Sequence, residues 1–355
     1  MPHCNSYLPL EILFLIFKVH PKSMFLVNKC FTFAYLRSAY YQMYINGDFV
    51  FGQMFNYPEF IHVLTINLKN VNSNWDHLNF IFRNLHFANL QFLTLVGLPY
   101  SSHPSIELIL ECASKSTKLL GLDLFLIPLT TSVKSKIKLL LNLRILRLDE
   151  LPTDLYDYKS YKTITSLSFE CFTDNPDVSY SQPLPFITIL KIERGDPLGH
   201  NSAFIHFLFP NLSEFKYQQS SVKLDLRNIK LDKLDIYCDA VSEFPNNLQK
   251  LTLRTKWGHS NSMWIHKLAI LKDLKKCFIQ IEYIIGPECR TDFNQIKEIF
   301  KFIMDCKFRC QVEIGNASVK IANYDLRSVE YFTVERGIYI YGDSTGLYMA
   351  LLDYS

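Results

Sequence analysis

The sequence predicts an α/β repeat protein. A small N-terminal helical segment precedes an irregular solenoid whose short parallel strands line a concave face. Three observations predict it. A rung of apolar residues with the spacing L-x-x-L-x-L returns ten times between residues 61 and 279. The stretch Leu8–Phe17 is entered through a proline and is apolar at six consecutive positions, Ile12–Phe17. The composition, 48% apolar with 28 Phe and 20 Tyr, can fill a large core. A fixed internal repeat decides architecture before any local propensity does.

Charge and cysteine usage narrow the function classes. Charged residues make up 20% of the chain and the net charge is +3. That balance excludes a disordered polyelectrolyte and gives no support for broad electrostatic binding to nucleic acid or an anionic membrane. The nine cysteines contain no C-x-x-C, their number is odd, and several fall at repeat positions. They are read as small hydrophobes in a reducing compartment, cytoplasm or nucleus. Leu8–Phe17 contains Pro9 and Glu11 and lacks a basic leader, so it is not read as a signal peptide. No run reaches the ~20 apolar residues of a membrane helix.

The first element is a helix entered through Pro9, since proline is tolerated in a first helical turn. A surface helix shows one apolar stripe, whereas Ile12–Phe17 must be covered on more than one side. After Pro21 a second helical pattern follows, with Val27, Phe31, Ala34, Ser38 and Tyr41 on one face. About forty residues bury too little surface to cover that first helix alone. The repeat domain or a partner must complete it.

These residues resemble the F-box, whose pattern runs L-P-x-E-I-L-x-x-I-F and then V-C-K-x-F/W with an alanine beyond. Here it stands as Leu8, Pro9, Glu11, Ile12, Leu13, Ile16 and Phe17, then Val27, Lys29, Phe31 and Ala34. Asn28 occupies the usual Cys position. The gap between Phe17 and Val27 is shortened, reducing the middle helix to a turn around Pro21–Met24. The resemblance implies docking to a Skp-type adaptor that links the protein to a cullin–RING ubiquitin ligase. It places Leu8, Pro9, Ile12, Ile16 and Phe17 against that adaptor, supported by Val27 and Phe31. The plain structural reading of the same residues is an N-terminal cap, which solenoids need.

The rungs follow in order. They begin at Ile61, Leu90, Leu119, Leu143, Ile164, Ile187, Leu212, Leu231, Leu248 and Leu274. Leu143-x-x-Leu146-x-Leu148 is the clearest and Leu274-x-x-Cys277-x-Ile279 the faintest. Side chains alternate across a strand, so positions 4 and 6 face the core while 5 and 7 face outward. Helical returns are predicted at 105–113, capped by Ser105, at Ser132–Leu141 and at Trp264–Leu274. Leu212, Leu231 and Leu248 lie 19 and 17 residues apart, too close for a helix, so those returns should be extended or a tight turn.

This stretch, about residues 58–285, resembles leucine-rich repeats. It departs at position 9, where Leu98, Ile127, Leu151 and Phe172 replace the Asn or Cys that normally bonds the turn backbone. An irregular solenoid is therefore expected, its turns satisfied another way. The expected domains are 1–45, F-box-like and helical; 46–285, the repeats; and 286–355, a degenerate terminal repeat and cap. In the last, Asp292 and Gln295 form a capping pair for a helix carrying Phe293, Ile296, Ile299, Phe300 and Ile303. Val312-x-Ile314, Val319-x-Ile321 and Ile338-x-Ile340 read as strands.

No catalytic constellation, metal site or cofactor motif emerges. His200 with His206, and His259 with His266, lack partners at ligand spacing. Cys306-x-x-x-Cys310 reads as one helical turn without a second pair. Trp75, Trp257 and Trp264 read as core fillers. The candidate substrate surface lies at positions 5 and 7. Asp149, Glu170 and Glu193 would stand in a row about 4.8 Å apart on parallel strands. Arg147, Lys191 and Lys216 are placed to offset them, and Asp123 to face Arg147. Such a row is either an internally satisfied charge ladder or a stripe for a basic peptide. The expected function is that of a non-catalytic substrate adaptor of the ligase, with a protein substrate on the repeats and neither nucleic acid nor membrane as partner. The alternative is a repeat scaffold for a non-ligase complex.

Overall fold

The computed structural model describes residues 36, 41–46, 58–70, 75–97, 104–151, 162–172, 183–193, 203–218, 224–237, 240–256, 268, 271–282, 308–314, 319–322, 332–333, 338–343 and 346–351. Its architecture is α/β, dominated by parallel strands with few helices. The chain forms two compact units, Met1–Phe169 and Glu170–Ser355.

In the first unit, strands Gln42–Asn46 (β1), Val63–Asn67 (β2), Phe92–Val96 (β3), Gly121–Phe125 (β4) and Ile145–Leu151 (β5) stack in chain order, each parallel to the next. Ser166–Phe172 (β6) carries the chain across the division between units. The returns include helices Trp75–Asn84 (α1), Pro104–Ser114 (α2) and Thr131–Ile137 (α3). Positions 4 and 6 of the rungs are buried throughout: Leu64 and Ile66, Leu93 and Leu95, Leu122 and Leu124, Leu146 and Leu148. Each such side chain contributes about 1.5–3 kcal/mol by leaving water. Burial of every second residue fixes the register, because a one-residue slip would expose the whole set.

In the second unit, Ile189–Ile192 (β7), Glu214–Tyr217 (β8), Leu224–Asp225 (β9), Lys233–Tyr237 (β10), Val241–Glu243 (β11), Lys250–Lys256 (β12), Lys276–Glu282 (β13) and Arg309–Ile314 (β14) succeed one another. The order β7-β8-β10-β12-β13-β14 is parallel throughout. Ala203–Leu208 (α4) lies in the return between β7 and β8. Val319–Ala322 (β15) closes this ladder antiparallel to β14. Phe332–Thr333 (β16), Ile338–Asp343 (β17) and Gly346–Leu351 (β18) form a separate antiparallel meander. The predicted strands at 312–314, 319–321 and 338–340 are thus present. The two shortest returns are extended as expected, because β9 and β11 pair with each other in parallel.

One backbone device recurs. The carbonyl at rung position 2 accepts the amides of positions 2 and 3 of the following rung. The Leu120 carbonyl takes Arg144 and Ile145 at 2.8 and 2.9 Å, and the Gln249 carbonyl takes Lys275 and Lys276 at 2.9 and 3.1 Å. Rungs separated by returns of very different length therefore begin in the same register.

Several expectations are corrected. Residues 42–46, assigned in part to the helical segment 1–45, form β1; its buried pair Met43 and Ile45 is a rung whose first position is Tyr40 rather than Leu. Helix α2 begins at Pro104, and Ser105 does not cap it; the buried Ser105 hydroxyl instead donates to Asn79 at 2.7 Å. Helix α3 is capped by Thr130, which accepts from the Val133 amide at 3.2 Å, and it ends at Ile137 rather than Leu141. Cys310 lies in β14, paired with Cys277, so it does not continue a helical turn from Cys306. The return predicted as a helix to Leu274 is a turn, not helix, over residues 271–274. The adaptor residues Leu8, Pro9, Ile12, Ile16, Phe17, Val27 and Phe31 lie outside the described residues, as do the predicted helix at 293–303, residues 264–267, 269 and 270, and Trp257.

Candidate recognition surface

Rung positions 3, 5 and 7 alternate with the buried ones and form the solvent-facing side of each strand, where a partner would meet the repeats. In the first unit Arg147 reaches back one strand to Asp123 at 3.4 Å, as predicted. The two residues are register partners on β5 and β4. Asp149 turns inward. Its carboxylate accepts the backbone amide of Leu126, in the turn after β4. Leu126 holds φ 55°, a left-handed conformation that side-chain-bearing residues seldom adopt. Gly97 sits against the same turn: a Cβ there would lie 2.5 Å from the Leu126 carbonyl oxygen, and its amide donates to Phe125 at 2.8 Å. This is how one turn lacking Asn or Cys at position 9 satisfies its backbone.

In the second unit, Glu170 is half-buried on β6. Lys191 pairs with Glu193 at 2.6 Å, and the Glu193 side chain is only 13% exposed. Lys216 does not turn to Glu193 but forward to Asp235, at 3.1 Å, which Arg254 also reaches at 2.9 Å. Lys233 pairs with Glu214 on the neighbouring strand. Asp149 and Glu193 are therefore occupied within the protein, and a basic peptide would have to displace existing partners to reach them.

Away from this face, Arg227 clasps the Asp225 carboxylate, with contacts from 2.6 Å, and holds its pKa below the usual carboxylate range. Lys136, at 2.8 Å, does the same to Glu111 on the exposed outer side. Burial raises the Cys112 thiol from about 9.0 to about 11. Among the described residues no three His, Cys, Asp or Glu side chains gather to hold a metal ion, and no helix is long and apolar enough to cross a membrane.

A second periodic feature escaped the rung pattern. Asn89, Asn142 and Asn211 each stand immediately before a rung. Their side-chain amides donate to the carbonyls of Glu59, Thr117 and Pro185 at 2.6, 2.8 and 2.7 Å. Each acceptor lies two residues ahead of the preceding rung. The signal is legible as N-L-x-x-L/F, in Asn89-Leu90, Asn142-Leu143 and Asn211-Leu212. No protein-family model, curated protein or solved structure matches the chain.

Proposed function

We propose that the chain is the substrate-recognition subunit of a cullin–RING ubiquitin ligase, acting in the cytoplasm or nucleus. The N-terminal motif docks a Skp-type adaptor and the repeats hold a protein substrate. The observation that carries this reading is the run Leu8, Pro9, Glu11, Ile12, Leu13, Ile16 and Phe17, followed by Val27, Lys29, Phe31 and Ala34. The parallel strands beyond it support the second half, because they offer a broad, regularly spaced set of outward side chains. The protein makes no bond itself. It raises the local concentration of substrate beside the transferring enzyme.

The test is the triple variant Pro9→Asp, Ile12→Asp, Ile16→Asp, with co-precipitation of adaptor and cullin as the readout. Unpaired charges in an apolar contact cost several kcal/mol, enough to abolish a complex of about micromolar affinity. Loss of both partners by a folded variant supports the reading. Retention of the adaptor by that variant rejects it, and an adaptor recovered without cullin turns the protein into a scaffold of another complex.

A further inference from the structure

The cations on the strands of the second unit, among the described side chains, divide into two groups. Lys191, Lys216, Lys233 and Arg254 each have a carboxylate partner. Lys250, Lys276 and Arg309 have none among the described residues, although all three are exposed. These three share rung position 3 and are direct register partners, Lys250 to Lys276 and Lys276 to Arg309, on three consecutive parallel strands. Lys233 extends the same row by one strand. Lys275, next to Lys276, reaches only the neutral Gln249 side chain at 3.2 Å.

Adjacent strands lie about 4.8 Å apart, so the row from Lys250 to Arg309 spans about 10 Å and Lys233 lengthens it to about 14 Å. Like charges directly opposite each other on neighbouring strands repel. Elsewhere on this face cations are interleaved with Asp235, Glu193 and Glu214, so the uncompensated row stands apart. An anionic group laid across it would relieve the repulsion.

We propose that Lys250, Lys276 and Arg309 form a docking row for an extended acidic segment of a partner protein, laid across β12, β13 and β14. An extended chain rises about 3.3 Å per residue, so about four residues cover the row. Phe278, half-buried at the next outward position of β13, offers an apolar contact beside it. A peptide fits better than nucleic acid for two reasons. The chain carries a net charge of only +3. Glu214, Asp232 and Asp235 flank the row, and a continuing phosphate backbone would meet them, whereas a peptide can end its acidic stretch there. As the ligase's substrate-binding surface, the row rests on the reading above; as a peptide-binding surface it stands without the adaptor.

The experiment uses the purified full chain without adaptor, and fluorescence anisotropy of a labelled acidic dodecapeptide of Glu, Asp and Ser. Binding should weaken as salt rises, as charge-steered contacts do. Lys250→Glu with Lys276→Glu should weaken it at least about tenfold, which corresponds to about 1.4 kcal/mol. The charge-matched control Arg83→Glu with Lys115→Glu, on α1 and in the turn just after α2, should leave it within about twofold. Should the reversal not fold, Lys250→Gln with Lys276→Gln carries the same expectation at reduced size. Absence of peptide binding, equal loss in the control, or tighter binding of a single-stranded oligonucleotide of matched charge would each overturn the proposal. Loss of adaptor co-precipitation with peptide binding intact would reject only the ligase reading.

Discussion

Leu126 donates its amide to Asp149 while holding φ 55°. A left-handed backbone costs a side-chain-bearing residue roughly 1–2 kcal/mol, so the acceptor must help to hold the turn. Asp149→Ala leaves that amide without its partner and should destabilise by about 1–3 kcal/mol, read as a lower urea midpoint. Asp149→Asn keeps an acceptor oxygen and should lose less than half as much. An unchanged midpoint for the alanine variant would refute the structural role and return Asp149 to the recognition face. This also marks what the sequence could not show. Its spacing put Asp149 in the outward row, but the inward hydrogen bond depends on the left-handed turn one rung earlier, which no pattern around Leu126 announces. Cys112 offers a second measurement. Its folded thiol titrates near 11 against about 9.0 when unfolded, so its stabilising contribution is intact below pH 9.0 and is lost as pH rises toward 11. Alkylation at pH 8 should therefore spare Cys112 in the folded protein and label it in urea, and mass spectrometry distinguishes the two. Ready labelling of the folded chain would contradict its burial.

At the scale of elements, the strands were legible because their signal is periodic and local. Burial at positions 4 and 6 needs nothing beyond alternation, and even the weak rung at Cys277 and Ile279 obeys it. The first rung was missed because Tyr40 replaces its leading Leu, leaving Met43 and Ile45 to read as the tail of a helix. Helix ends were misplaced for another reason. The cap at Thr130 and the Ser105–Asn79 bond are choices between neighbouring hydroxyls that depend on the packed partner. The Asn residues ahead of the rungs belong to this scale too, since each ties the entry of one strand to the entry of the one before. Asn89→Ala, Asn142→Ala and Asn211→Ala should each cost about 1 kcal/mol in urea unfolding. Asn84→Ala is the contrast: that side chain bonds only Phe80 within its own helix, at 2.6 Å, and its removal should stay within about 0.5 kcal/mol. Equal small losses at all four positions would show that the inter-rung bonds add nothing beyond a solvated amide.

Over the whole molecule, the sequence told less about charge than about shape. Counting 37 basic and 34 acidic residues suggests near-balance. The fold redistributes them: Asp149 and Glu193 find partners within the protein, the first of the two alternatives for that row, while three cations stand in register on β12, β13 and β14. The Lys250–Lys276 alignment follows from the rung spacing, whereas no leucine rung announces Arg309, which joins the row through its amide bond to the Lys275 carbonyl. Such an arrangement makes stability and binding move in opposite directions. Lys276→Glu places a carboxylate between Lys250 and Arg309, converting two repulsions into two attractions. Opposite-charge cross-strand pairs contribute roughly 0.2–1 kcal/mol each, so the variant should unfold at higher urea than the natural chain, most clearly at low salt. The same substitution should weaken capture of the acidic peptide. A variant that is both less stable and still competent for the peptide would mean that the row is neither strained nor used. A variant more stable but no longer binding would identify Lys276 as a charge kept at a cost to the fold for the sake of its ligand.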